Sequence, residues 1–257
     1  MNSREHFPSR PLTDCQFVLA TDLDGTFLGG DDTERDAFYT WITTHRDKIG
    51  LIFVTGRDPE FITDMTRTTA VPRPDYVVGD VGTTIAAVSD DHSIEPIESL
   101  EGEIAQLWGD AHARVKAVLT DAPGLTLQQT PFRYRMSFDL DPATFDAGAI
   151  DRVQDLGLDV LISDNRFFDV LPRGISKGPS LKRLLAHLGL REDRTLVAGD
   201  TLNDLSMLAL GLPAVAVGGS EPALIEKLRG RPHVHLADGI GVSGIAEAID
   251  HHRLFTA

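Results

Sequence analysis

The sequence holds a single cysteine, Cys15, so no internal disulfide can form. Nothing beside that cysteine is placed to activate it, and it reads as a packed thiol rather than a nucleophile. Positive charge is the second scarcity: 24 lysines and arginines stand against 39 aspartates and glutamates, a formal net charge of −15. A surface so acidic repels nucleic-acid backbones and anionic lipid headgroups, which argues against either as the main partner. An anionic small molecule would have to be met by a local cationic cluster or a metal ion. No apolar run approaches the roughly 20 residues that span a bilayer, and the opening MNSREHFPSRPLTD lacks the apolar stretch of a secretory leader. A reducing, cytoplasmic setting is therefore expected. Repeats and low-complexity tracts are absent too, and only the first dozen residues, with Pro8 and Pro11, read as a loose tail.

Hydrophobic residues make up 42% of the chain, enough for a real core at this length. Short apolar runs ending in small or polar residues recur: FVLATD (17–22), GLIFVTG (50–56), DYVVGD (75–80), TLVAGD (195–200) and PAVAVGG (213–219). Helical patterns lie between many of them. Leu181, Leu184, Leu185 and Leu188 follow the i, i+3, i+4, i+7 spacing, with Gly189 as the stop. This alternation predicts an α/β fold, a Rossmann-like parallel sheet covered on both faces, with ligands bound beyond the carboxyl ends of its strands. The middle of the chain has another rhythm. A helix over residues 103–120, the strands LTLQQT and RYRMSFDL, a helix over 144–156, and the strands DVLISD and RFFDVLP give an α-β-β-α-β-β order with short connections, an antiparallel α+β unit. The expected division is a core of residues 1–83 and 173–257 carrying an inserted domain of residues 84–172.

Two acidic clusters sit at predicted strand ends. Asp22 closes FVLATD and Asp24 follows two residues on, with Gly25 permitting a turn; Asp200 closes TLVAGD, with Asn203 and Asp204 at the start of a helix. Each cluster alone is explicable as turn or cap chemistry. Together at one edge of one sheet they would repel unless a divalent cation lay between them, and an all-oxygen donor set suits Mg²⁺ better than zinc. Thr55 and Gly56 in FVTGRD add a hydroxyl and an amide, and Lys177 in RGISKGPS adds an ammonium. A cation site, hydroxyl and amide donors, and a lysine are what phosphoryl transfer asks of a protein.

The segments DLDGT, VTGR, SKG and GDTLND, in that order, resemble the four motifs of the haloacid dehalogenase superfamily of phosphatases. The inserted unit resembles that superfamily's C2B cap. YVVGDVGTTI, PFRYRMSFDLDP and FFDVLPRGISKGPSLKRL resemble the sucrose-phosphate phosphatase group, which includes phosphatases of related glycosyl phosphates. The resemblance implies Asp22 as the nucleophile that forms an aspartyl-phosphate and Asp24 as the general acid and base. It implies Thr55 and Lys177 on phosphoryl oxygens, with Gly56 and Asn203 beside them. It implies Mg²⁺ held by Asp22, the Asp24 carbonyl and Asp200, with Asp204 reaching the ion through water.

In the cap, Arg135 stands where the group usually has lysine and is nominated as a substrate contact; the competing reading puts the Arg133–Arg135 alternation on the solvent face of a strand. Arg57 and Arg173 are weaker nominees. His233 and His235 have zinc-like spacing but no third ligand, so a packing role is expected. VGGSEPAL reads as a turn with Pro222 at the first helical position. The expected partner is a phosphorylated sugar and the expected state a monomer or homodimer. A sugar phosphomutase and a phospho-aspartate signalling protein are the alternatives; the acid at Asp24 weighs against the second, because a poised acid/base shortens the life of the acyl phosphate.

Overall fold

The computed structural model describes residues 11–130 and 132–256. Most of the expected tail, residues 1–10, lies outside the described residues. The apolar runs become the strands β1 (Phe17–Thr21), β2 (Ile49–Val54) and β3 (Tyr76–Gly79), with helices α1 (Asp32–Thr44) and α2 (Pro59–Thr68) between them. Asp31 opens α1 with a reciprocal capping box to Glu34, and Asp58 caps α2 ahead of Pro59, satisfying amides that a helix start leaves unpaired.

The chain then departs from expectation. β4 (Thr84–Val88) and β5 (Ile94–Pro96) turn back antiparallel beside β3 and extend the same sheet. The division expected at residue 84 is corrected accordingly: an apolar run such as TTIAAV looks alike whether its neighbour is parallel or antiparallel. The helix expected over 103–120 is two helices, α3 (Glu98–Trp108) and α4 (Ala111–Leu119), broken at Gly109, whose φ of 51° suits glycine. Leu100 and Ile104 of α3 pack with the large sheet, whereas Ala111, Val115 and Leu119 of α4 pack with the small one.

A second sheet is built from β6 (Leu125–Leu127), β7 (Met136–Leu140), β8 (Leu158–Ser163) and β9 (Phe167–Pro172), with α5 (Gly148–Gln154) before β8. Its order is β6-β7-β9-β8, antiparallel throughout, and with α4 the chain order is α-β-β-α-β-β. Two expectations shrink here. Residues 133–135 precede β7 rather than belonging to it. The helix expected from 144 begins at Gly148, because Asp141 and Asp146 bind nearby amides in turns that compete with helix.

The chain returns to the large sheet through α6 (Lys177–Leu188), β10 (Thr195–Gly199), α7 (Leu205–Leu208), β11 (Ala214–Gly218), α8 (Pro222–Leu228), β12 (Val234–Ile240) and α9 (Val242–His251). The eight strands run β12-β11-β10-β1-β2-β3-β4-β5, parallel as far as β3. Side chains of β1 alternate between the faces: Phe17 and Leu19 pack with α1, α2 and α9, Val18 and Ala20 with α6, α7 and α8. The order in which the chain fills the sheet reverses at β1, flanked by β10 and β2, and such a switch point opens a crevice beyond the strand ends. Among the described residues no helix is long and apolar enough to cross a membrane.

Candidate active site

Asp22 follows β1 and Asp200 follows β10, and the register of those paired strands, Thr21 opposite Ala198, brings the two ends side by side. The Asp22 amide continues the ladder to the Ala198 carbonyl at 2.9 Å. The chain then winds through a wide turn, Phe27 N to Asp22 O and Leu28 N to Leu23 O, with Gly25 at φ 82°. A Cβ on Gly25 would sit 2.3 Å from Asp200 Oδ2, so glycine is what lets this turn close on the carboxylate.

Carboxylate oxygens of Asp22, Asp200 and Asp204 lie within 4.8 Å of one another. Lys177 sits among them almost fully buried: its Nζ donates to Asp22 Oδ1 at 2.7 Å, Asp204 Oδ1 at 2.6 Å and Asn203 Oδ1 at 2.9 Å. Lys177 is the first residue of α6, so the leucine-faced helix fixes its position. Three carboxylates against one ammonium leave a local excess of negative charge, and the donors are all oxygen. The set fits a hard divalent cation. Asp204 Oδ2 accepts from the amides of Asp200 and Thr201 and Oδ1 from Lys177, so this carboxylate is largely committed to protein donors.

Burial pushes the Asp22 carboxyl up; Lys177 pulls it back, and Asp204 and Asp200 add to the rise. Asp200 is pushed up to about 6, chiefly by burial, against a hydrogen bond from Thr26. For Lys177 burial pulls down, but Asp204 and Asp22 together push the ammonium up, so it stays charged. A cation must displace any protons these carboxylates hold. Affinity for a divalent cation is therefore expected to fall as pH drops from about 8 through about 6, with protons released on binding, as calorimetric titration in buffers of differing ionisation enthalpy would register. The same protonation acts on stability with the opposite sign. A folded-state carboxyl raised above its unfolded value gives a contribution that is lost as pH rises through the folded value, and an added divalent cation is expected to return it.

Thr55 follows β2 with its side chain fully buried, and its Oγ accepts the Arg57 amide at 3.1 Å. Asp24 is not in the carboxylate cluster. Its exposed side chain is held by Arg57 through two bonds, 2.8 and 2.9 Å, and Arg57 lies over the Phe61 ring. Arg135 is buried, 6% exposed, so the solvent-face reading is corrected: the guanidinium lies between Asp169 and Asp80, against the Phe132 ring, and donates to the Gly56 carbonyl. Arg173 is exposed on the turn after β9. His233 bonds the Leu208 carbonyl and His235 bonds Glu247, roles in packing. Pro222 begins α8, and Cys15 is half-buried against the core.

Several supporting residues escaped the sequence reading. Thr26 holds Asp200 Oδ1 at 2.6 Å, Thr201 donates to Asn203 Oδ1, and Glu221 takes the Leu202 amide while its own amide bonds the Asp200 carbonyl. Thr26 and Thr201 lie within the quoted motifs and were legible as hydroxyls beside carboxylates; Glu221 is distant in sequence and gave no such signal.

The family model described as sucrose-6F-phosphate phosphohydrolase matches residues 15–253. A glucosylglycerol-phosphate synthase of Pseudomonas anguilliseptica is 39% identical over 236 residues, 91% of this chain and 30% of that protein, so the chain spans less than a third of that relative. A mannosylfructose-phosphate phosphatase of Agrobacterium fabrum is 26% identical over 247 residues, 92% of this chain and 97% of the other. The solved structure of the sucrose-phosphatase from Synechocystis sp. PCC6803, in complex with sucrose and phosphate, shares the fold with a TM-score of 0.81 at 23% identity, covering 93% of this chain and 98% of that one.

Proposed function

The chain belongs to the sucrose-6F-phosphate phosphohydrolase family, within the haloacid dehalogenase superfamily, and on that premise we propose that it is a Mg²⁺-dependent phosphatase of a phosphorylated sugar or glycosyl compound, working through an aspartyl-phosphate on Asp22. The observation that carries this reading is the convergence of Asp22, Asp200 and Asp204 around Lys177 at adjoining strand ends.

Asp22 attacks phosphorus while the bond to the sugar oxygen breaks, and Asp24 gives its proton to that departing oxygen. Asp24 has to leave its pairing with Arg57 to do so. Water then attacks the phosphorus of the aspartyl-phosphate, its proton passes to Asp24, and the bond to Asp22 breaks, releasing inorganic phosphate and restoring both acids. Asp22, Asp200 and the Asp24 carbonyl would hold Mg²⁺, with Asp204 behind them. That ion, when bound, supplies neutralising charge to the phosphoryl oxygens. Lys177 adds a fixed ammonium, Thr55 a hydroxyl and Gly56 an amide, donors preorganised for a trigonal phosphoryl group. Asn203, which Thr201 also donates to, accepts from Lys177 and helps orient it. The small-sheet unit, whose Arg135 and Arg133 reach residues of the large sheet, is read as the cap that selects the leaving group.

The relatives described above are named for one chemistry, a phosphate ester on a glycosylated sugar or polyol, which supports that substrate class. Phosphate release with Mg²⁺ should be measured across hexose phosphates, sucrose 6-phosphate, mannosylfructose phosphate and glycosylglycerol phosphates. Preference for one glycosyl phosphate is expected. A flat, slow profile would reject the group-level reading, and phosphoryl return to sugar with free phosphate at background would favour a mutase.

A further inference from the structure

The loop that follows β2 gives up three successive carbonyls. Thr55 O accepts from the Val81 amide at 3.1 Å, Arg57 O from the Asp80 amide at 3.0 Å, and Gly56 O from Arg135 Nη2 at 3.1 Å. The first two partners belong to the large-sheet side, from a turn held at positive φ in Asp80, Val81 and Gly82 (51°, 60° and 106°). Such backbone, at two non-glycine residues, persists only when its surroundings over-determine it. Gly82 meets that requirement by close approach: a Cβ there would lie 2.4 Å from Ser176 C, next to Lys177. The third partner is different, because Arg135 arrives from the small-sheet unit.

The Gly56–Arg57 peptide is thereby pinned at both ends. Its oxygen is held by Arg135, and its N–H donates to Thr55 Oγ at 3.1 Å. With that oxygen already accepting, the Thr55 hydroxyl hydrogen points elsewhere, and among the described residues it has no acceptor. It is free for a phosphoryl oxygen. The same peptide sets the start of the Arg57 side chain, which clasps Asp24.

Arg135 is held for this task and not for contact with solvent. Nη1 lies 3.4 Å from Asp169 Oδ1, Nη2 lies 3.7 Å from Asp80 Oδ1, and the guanidinium centre lies 3.6 Å from the Phe132 ring centroid. Ser137 and Thr84 donate to Asp169 and Asp80 respectively. Yet Arg135 Nε and Asp80 Oδ1 are buried with no hydrogen-bond partner among the described residues. A buried ionic junction left partly unsatisfied is only weakly stabilising, since desolvation opposes its Coulomb gain. Such a junction can part without great cost.

We propose that Arg135 is a positioning residue that couples the seating of the small-sheet unit to the order of the phosphoryl-binding loop, by holding the Gly56 carbonyl and through it the Thr55 hydroxyl. With the units apart, Gly56 O loses its partner and the peptide plane is free to turn, so the donors assemble only when the units close. This inference rests on the phosphatase reading above, and it differs from a substrate contact in where the loss must fall. A contact to the sugar affects sugar substrates alone; a loop-positioning residue affects every phosphomonoester.

The test uses Arg135→Lys, which keeps a cation between Asp80 and Asp169 but loses the fork that reaches Asp169 and Gly56 O together. Amide hydrogen exchange at Gly56 and Arg57 is expected to quicken about tenfold, with β10 and α6 unchanged. kcat is expected to fall between about tenfold and a hundredfold, with KM little changed, for a sugar phosphate and for p-nitrophenyl phosphate alike. Unchanged exchange, or a loss confined to KM for the sugar phosphate, would overturn the proposal. Should Arg135→Lys unfold, Asp169→Asn releases one end of the guanidinium and is read by the same measurements. If the unaltered protein released phosphate from neither substrate, the phosphatase reading would fail, while exchange at Gly56 and Arg57 would still decide the coupling.

Discussion

Phosphate release by the Asp22→Asn variant is expected to be lower by roughly 10⁴-fold or more, the scale on which removal of an enzymatic nucleophile registers, with the fold intact. Asparagine has the shape of aspartate but cannot form the acyl phosphate. The structural cost is small for a reason visible in the site. Lys177 keeps Asp204 and Asn203 as acceptors, so its ammonium is not stranded, and one of three crowded carboxylates is gone. The thermal midpoint without added cation is therefore expected to hold or rise. Phosphate release and thermal unfolding on the same preparation check both halves; turnover retained at a substantial fraction of the unaltered rate would reject Asp22 as the nucleophile.

Lys177→Met has the opposite balance. Methionine fills much the same space, but Asp22 and Asp204 lose the cation that both contact at hydrogen-bond distance. Removing one partner of a buried ion pair costs about 3–5 kcal/mol, because the remaining charge is stranded in low dielectric. Proton uptake relieves that cost, and burial already pushes Asp22 and Asp200 up. The loss of stability should thus be largest near pH 8 and shrink toward pH 5, the sign expected when the carboxyls take up protons in the folded state. Turnover is expected to drop by roughly 10²- to 10³-fold, the scale of one preorganised donor. Denaturant melts at the two pH values measure the difference; equal stability to the unaltered protein at pH 8 would show that the ammonium is not what offsets the carboxylate cluster.

Much of this was legible in the sequence because strand ends in a parallel sheet have a chemical signature. An apolar run stopping in Asp22, Asp200 or Thr55 is costly unless the polar group is used, and the leucine spacing after Lys177 marked the helix that carries it. What stayed hidden depended on partners distant in the chain. Nothing local to TTIAAV reveals that β4 pairs antiparallel with β3, and the turn between them takes positive φ at Asp80 and Val81, against ordinary turn preferences. The alternation in Arg133, Tyr134 and Arg135 suggested a strand, whereas Arg135 is drawn out of that pattern by Asp169 and Asp80, carboxylates no periodicity connects to it. Gly109 splits one helical pattern because its two halves pack on different sheets.

The central claim is that Asp22 takes the phosphoryl group while the carboxylates and lysine around it hold the charges. Rapid acid quench during turnover of a ³²P-labelled sugar phosphate, followed by peptide mapping, tests it most directly. Label is expected on the peptide containing Asp22, stable in acid, discharged by hydroxylamine and absent from Asp22→Asn. Full-rate phosphate release with no label on that peptide at any quench time would contradict it.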